Sequence, residues 1–464
     1  MEQIKKGPIL AAFLIAGFVG LFSETALNMA IQQLLTDLNV ERTTIQWLTT
    51  GYLLTLGILV PISGLLVQKF STRKLFITSL AFSVIGTFIA AIAPTFAVLM
   101  AARIVQAIGT AILLPVMFNT ILLIFPVEKR GSAMGLMGLV IMFAPAIAPT
   151  ASGIILEYLT WHYIFWFTLP PLVFALLFGY RYMQNVGELT NPKVDVLSVV
   201  FSTIGFGGIV YGFSIAGEKG WDDVTVIISI AAGVIGLALF SLRQMKLEKP
   251  MINLQILKYP MFVIGLLAVF IAFMCILSTM ILLPMYLQTS LLLATFSAGL
   301  LLLPGGLVNG IFAPIVGRLF DAYGARILVI PGFLIIIVTY IFFIQIDEAT
   351  SGLQIIVLHS ILMIGVSLVM APAQTNGLNQ LPPELYPDGT ALMNTLQQIS
   401  GAIGTAVAIT IMSSAQDSYM MENPAANMLE GFTHGVQSSF TFGLVMAVLG
   451  LFLALFIKGK KKLA

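Results

Sequence analysis

The stretch Gly317-Arg318-Leu319-Phe320-Asp321-Ala322-Tyr323-Gly324-Ala325-Arg326 is a polar, glycine-opened turn between two long apolar runs. A near-copy stands 253 residues earlier, at Gly64-Leu65-Leu66-Val67-Gln68-Lys69-Phe70-Ser71-Thr72-Arg73-Lys74. A second pair repeats the interval: Gly131-Ser132-Ala133-Met134 and Gly389-Thr390-Ala391-Leu392 lie 258 residues apart. Eight membrane helices with their loops, at about 32 residues each, account for that spacing. The chain therefore reads as two six-helix halves with two helices inserted between them. An even insertion leaves both halves in the same orientation, so the repeat is parallel, with its axis along the membrane normal.

The rest of the chain agrees. Of its 464 residues, 59% are apolar and only 9% are charged, and the mean hydropathy is +1.02. Soluble domains carry about 25% charged residues, so a soluble enzyme, a disordered chain and a secreted disulfide scaffold are excluded. Apolar runs fall near 9–30, 45–67, 75–93, 96–124, 133–156, 164–183, 196–216, 225–242, 261–283, 297–316, 327–345, 353–375, 389–412 and 437–457. They are continuous rather than alternating, which selects helices over a barrel. The expected fold is an all-α integral membrane protein of fourteen transmembrane helices. Its organisation is an N-terminal six-helix bundle over 1–185, an inserted pair with its linkers over 186–260, and a C-terminal six-helix bundle and tail over 261–464. The run near residue 9 follows Lys5 and Lys6 as a signal peptide would, but it is too long and contains Glu24, so it reads as the first span.

Fourteen crossings put both termini on one side. Nineteen of the 22 Lys and Arg then fall on that side; Arg42 and Lys219 fall on the other, and Arg103 lies within the membrane. The positive-inside rule places the termini in the cytoplasm, and a miscount by one span would scramble the bias. The single cysteine, Cys275, lies in an apolar run and forms no internal disulfide framework.

Four segments resemble the major facilitator superfamily, in its fourteen-helix drug:proton antiporter branch of multidrug and lincomycin-resistance-type exporters. The turn from Gly317 through Asp321 and Gly324 to Arg326 is similar to the superfamily's G-x-L-x-D-x-x-G-x-R loop. The first copy, with Gly64 and Arg73, has Gln68 where aspartate is usual and Ser71 where glycine is usual. Leu99 to Gly109, with Arg103 and Gln106, is similar to R-x-x-Q-G-x-G, with Ala107 replacing a glycine. Ala144 to Gly153, with Pro145 and Pro149, is similar to the antiporter signature G-P-x-x-G-G. Glu24-Thr25-Ala26-Leu27-Asn28 is similar to D-x-T-x-x-N, with the acid one place later. The resemblance implies alternating access coupled to protons, with helices one and four side by side at a central cavity.

A carboxylate inside the membrane costs roughly 2.5–3.5 kcal/mol when charged, so it takes a proton or finds a partner. Glu24 and Arg103 are placed roughly 10 Å below the outer surface by helical rise. They are either a fixed ion pair or a proton site that releases its partner on loading. Glu157, at the outer end of the fifth run, is either an exposed carboxylate or a second carrier. His359 occupies the repeat position of Arg103, 256 residues on, and an imidazole titrates near neutrality. These four are the proton-coupling candidates. The stripe Pro145, Pro149, Gly153 and the turn residues Gly64, Arg73, Gly317, Asp321, Gly324 and Arg326 are the gating candidates; small residues and prolines permit close packing and bending. Substrate-lining candidates are the polar and aromatic groups within spans: Asn28, Tyr52, Gln106, Asn119, Phe143, Gln288, Asn376, Asn394 and Gln398. The 22 Met and 33 Phe suit a pliable apolar pocket.

No nucleotide-binding loop and no His/Cys metal constellation occurs, so neither ATP nor a metal is expected to drive the cycle; protons are the coupling ion, with no cofactor. The chain is expected to be a monomer in a bacterial cell membrane, not an enzyme, with no nucleic-acid partner. The expected function is proton-coupled export of hydrophobic or amphipathic drugs. The alternatives are export of an endogenous metabolite, nucleotide or lipid, a non-transporting membrane sensor, and a proton-coupled importer, against which the helix-five prolines count.

Overall fold

A computed structural model describes residues 5–187, 189–190 and 195–458. Among them, fourteen helices are long and apolar enough to cross a membrane. They are α1 (Lys6–Ala26), α3 (Arg42–Lys69), α4 (Thr72–Ala91), α5 (Phe96–Ile124), α6 (Arg130–Tyr158), α7 (His162–Tyr182), α8 (Val196–Lys219) and α9 (Val224–Lys246). The series continues with α10 (Pro260–Thr289), α11 (Thr295–Tyr323), α12 (Arg326–Phe343), α13 (Gly352–Leu378), α14 (Tyr386–Glu422) and α15 (Met428–Leu455). The short α2 (Ile31–Asp37) is the fifteenth helix and continues the path of α1. In a bilayer only such internally bonded segments leave no backbone group unpaired in hydrocarbon.

Helix ends follow local chemistry. Thr95 and Ser351 accept hydrogen bonds from the first turns of α5 and α13, and Asn427 with Glu430 forms a reciprocal capping box on α15. Three boundaries depart from the apolar runs. The first run, expected to end at 30, leaves α-helical geometry at Ala26, tightens into a 3₁₀ turn over Leu27–Ala30 and resumes as α2. The helical path thus extends to Asp37, and Glu24 lies deeper from that end than an end at 30 implies. The helices α14 and α15 run about two to three turns beyond 389–412 and before 437–457. Hydropathy reports where the hydrocarbon ends, whereas intrahelical hydrogen bonds persist into water.

The helices α1 and α3–α7 pack as one six-helix bundle and α10–α15 as the other. The bundles meet along two seams, α6 against α11 and α3 against α14. On the α6/α11 seam a Cβ added to Gly317 would collide with the Gly131 carbonyl oxygen, and one added to Gly135 would stand 2.5 Å from that of Ala313. Only glycine permits this approach.

The inserted pair packs on itself through Gly208 and Gly233, whose backbones nearly touch. Its α8 lies across the second seam. Val210 fills the space beside Gly57 of α3, and just beyond α8 the Trp221 indole N–H donates to Thr410 Oγ1 of α14 at 2.6 Å. The Asp195 carboxylate caps α8 and accepts two hydrogen bonds from Arg243 at the end of α9, at 2.5 and 2.7 Å. Those bonds, with the two from the Ser198 hydroxyl and amide, hold the Asp195 carboxyl well below the usual carboxylate range.

Candidate functional site: a cavity between the bundles

Between the bundles lies a cavity of about 320 Å³. It reaches from mid-membrane to the face opposite the chain termini: Met29, Gln288, Ala298 and Gly299 line it near the helix ends of that face. The walls are largely apolar, with Leu114 and Phe118 of α5, Met142 of α6, Phe273 and Met280 of α10 and Met363 of α13. Pro145 and Pro149 of α6 also line it, and Gly153, one turn on, faces Phe296 of α11, whose ring a Cβ added there would meet at 3.5 Å.

Glu24 lines this cavity, and among the described residues that do so it is the one carrying a carboxylate; no Lys or Arg joins them. Arg103 stands behind it. Its guanidinium is 1% exposed and donates to the backbone oxygens of Ser23 (3.2 Å), Glu24 (3.4 Å) and Leu48 (3.5 Å) and to Gln106 Oε1 (3.1 Å), while lying 4.3 Å over the Tyr52 ring. Arg103 makes no ion pair with the Glu24 carboxylate among the described residues. It meets Glu24 through the backbone and so ties α1, α3 and α5 together. Tyr52 and Gln106 belong to the same buried knot rather than to the cavity wall: the Tyr52 hydroxyl bonds Thr110 at 2.8 Å, and Gln106 bonds Thr87 at 2.8 Å.

His359 lines the cavity from α13, at the depth Arg103 has in α5, with its ring against Gly305 of α11 and Nδ1 buried without a partner among the described residues. Glu157 is exposed at the end of α6, away from the cavity. Of the other sequence candidates, Gln288, Asn394 and Gln398 line the wall. Asn119 is buried inside its bundle with Oδ1 unpartnered among the described residues, and Phe143 packs beside Gly310 and Phe18. Asn376 lies two residues from the end of α13 and outside the wall. The side chain of Asn28 lies outside the described residues, as do Lys193 and the lysines 460–462. Asn309, Gln397 and Thr279 line the cavity without having been singled out. For Gln397 a signal existed: with Asn394 and Gln398 it makes an i, i+3, i+4 amide stripe.

The terminal face is pinned shut across both seams. Asp321 accepts from the Gly131 and Ser132 amides (2.7 and 2.8 Å) and from the Ser132 hydroxyl (2.5 Å), so an acid of the second bundle caps the N-terminus of α6 in the first. Arg130 donates to Asn379 and Tyr386 at 2.8 and 2.9 Å. At the related place on the other seam, Gln68 donates to Asp388 at 3.5 Å, and the Asn253 amide to the same oxygen at 3.0 Å. A Cβ on Gly64 would meet Ala391 at 3.0 Å. Gly324 ends α11 at φ +81°, a left-handed conformation suited to glycine. Arg73 donates to the Tyr180 carbonyl at 2.8 Å, and Arg326, the first residue of α12, is exposed.

The family model for the Major Facilitator Superfamily matches residues 13–405. The lincomycin resistance protein LmrB of Listeria monocytogenes is 63% identical over 463 residues, 99% of this chain and 98% of that protein. The LmrB of Bacillus subtilis is 60% identical, over 99% of this chain and 97% of its own length. Among solved structures, the human organic anion transporter MFSD10 superposes with a TM-score of 0.68 at 13% identity, covering 97% of this chain and all of that one; it bears on the fold alone.

Proposed function

The chain belongs to the Major Facilitator Superfamily, a multi-pass family of membrane transporters, and from that premise we propose that it exports hydrophobic or amphipathic drugs in exchange for protons by alternating access. The observation that carries this reading is Glu24, the one carboxylate among the described residues lining the cavity, which include no Lys or Arg. A carboxylate at that depth is costly when charged and cheap when protonated, so exposure to one face and then the other loads and unloads a proton. With the terminal face pinned, the cavity opens toward the opposite face. On the reading that the termini are cytoplasmic, in a bacterial cell membrane, this is the outward-facing state, in which drug leaves and Glu24 receives a proton. Arg103 holds the backbone behind Glu24 in place, so the acid need not break an ion pair to be protonated.

On this reading the chain divides into a first bundle over 1–185, an inserted pair over 186–260 and a second bundle with its tail over 261–464. No bound cofactor enters the scheme, and the cycle is complete in a monomer. The names of the relatives support a drug as cargo. Export of an anionic metabolite or nucleotide fits less well, because no Lys or Arg is among the described residues lining the cavity. One charge falling through 100 mV releases about 2.3 kcal/mol, which sustains roughly a fiftyfold gradient of a neutral cargo.

Inside-out vesicles test the proposal. Adding lincomycin should dissipate a preformed pH gradient, and Glu24→Gln should abolish that response while the protein stays folded and membrane-inserted. A wild-type protein that ignores lincomycin and a panel of amphipathic cations would remove the drug reading. An unchanged response in Glu24→Gln would remove Glu24 as the proton site.

A further inference from the structure

The two walls of the cavity differ in chemistry. On the first-bundle wall the hydrogen-bonding groups among the described residues are Glu24 and Thr25, and the Thr25 hydroxyl is spent on the Leu21 carbonyl of its own helix. On the second-bundle wall, Asn394, Gln397 and Gln398 stand at i, i+3 and i+4 of α14, so their carboxamides lie on one face over a single turn. Asn394 donates to the Thr390 carbonyl of its own helix at 2.8 Å and thereby turns its oxygen to other use. Gln397 Nε2 is buried and has no partner, and Gln398 makes no hydrogen bond among the described residues. A buried amide left unpaired costs roughly 1–3 kcal/mol, and a glutamine pair serving only to fill space would be replaced by leucine or methionine at no loss.

We infer that the amide stripe of α14 is the specificity wall of this transporter: it hydrogen-bonds hydroxyl and amide groups of the cargo, while Glu24 on the opposite wall handles the proton. The cargo class that fits is a compact amphiphile with one apolar face and one face of several neutral hydroxyl or amide groups. This deepens, and rests on, the export reading above. Neutral amides donate and accept at once, so they match polyhydroxylated surfaces without the desolvation penalty of a charged partner. A site built to hydrogen-bond its ligand rejects analogues that leave its amides unpaired. Recognition and coupling on different bundles also means that rocking the bundles apart pulls the cargo's polar face away from the acid.

The test uses the full chain in proteoliposomes with an imposed pH gradient and two probes: lincomycin, which carries hydroxyls and an amide, and tetraphenylphosphonium, a cation with neither. Gln397→Met keeps the side-chain length and removes the amide. The expected result is a fall of about tenfold in lincomycin transport relative to tetraphenylphosphonium transport, with Gln398→Met giving the same direction. An equal fall for both probes, or no change for either, overturns the assignment. If Gln397→Met fails to fold, Gln398→Met and Asn394→Leu carry the same comparison. A wild-type protein that moves neither probe defeats the export reading itself, which Glu24→Gln then has nothing to modify.

Discussion

Arg103 shows how a single side chain can look like one thing in a sequence and be another in a fold. Alone among the Lys and Arg residues in falling well inside an apolar run rather than at its end, it invites pairing with Glu24. Instead its three nitrogens are spent on backbone oxygens of α1 and α3 and on the neighbouring Gln106. A fork of that geometry is available to arginine and not to lysine. Arg103→Lys should therefore lower stability by roughly 2 kcal/mol, read as a fall in the thermal midpoint of the purified protein; an unchanged midpoint would show that the knot does not hold α1 to α3. Glu24 could be singled out from sequence because a carboxylate in an apolar run is rare. Its separation from Arg103 could not, because the direction of each side chain depends on how α1 and α5 are rotated against each other.

At the scale of elements, the inserted pair is held by recognisable local chemistry at its terminal end. Asp195 caps α8 and receives Arg243 from α9, with both side chains partly exposed (24% and 33%). The capping aspartate is readable from its place before an apolar run; the arginine that completes the pair is not, being 48 residues away. Because folding depresses the Asp195 carboxyl, its contribution is fully present above the unfolded carboxylate value, about 3.9. It is lost as pH falls below that value toward the folded one. The stability difference between the wild type and Asp195→Asn should then be constant from pH 7 to about pH 5 and shrink below pH 4, followed by thermal unfolding across pH. A difference that grows on acidification would contradict this sign. The break of the first run into α1, a 3₁₀ turn and α2 belongs to the same scale. Hydropathy cannot see it, since i→i+3 and i→i+4 hydrogen bonding bury the same apolar side chains.

For the molecule as a whole, the alternating-access proposal makes the position of the two bundles the functional variable, and Asp321 is then its most direct lever. It reaches from one bundle to the positive end of a helix in the other, an interaction worth about 1 kcal/mol when charged. Asp321→Asn should shift the equilibrium between the two arrangements by about fivefold. Distances between spin labels on the terminal ends of α3 and α14 would report the shift, and the lone buried Cys275 makes such labelling straightforward. No redistribution on that substitution would mean that the cap does not bias the bundles. The repeat pairs this contact with the Gln68–Asp388 junction, where the acid stands in the first turn of α14 and the linker after the inserted pair supplies a further donor through Asn253. The two seams are thus related but unequal.

The number of spans, their parallel halves, the placement of basic residues and the one acid in the first run all follow from the chain read linearly, because the cost of exposing polar groups to hydrocarbon acts on each segment independently of its neighbours. The cavity is different. Which polar side chains line it, that Tyr52 and Gln106 serve a buried knot, that Glu157 stands apart, and that α14 presents three amides to the same space as Glu24 were settled by helix rotation and by glycine contacts such as Gly131 against Gly317. Those depend on packing between segments hundreds of residues apart, where many small contact energies sum to select one arrangement and none of them is written in a local pattern.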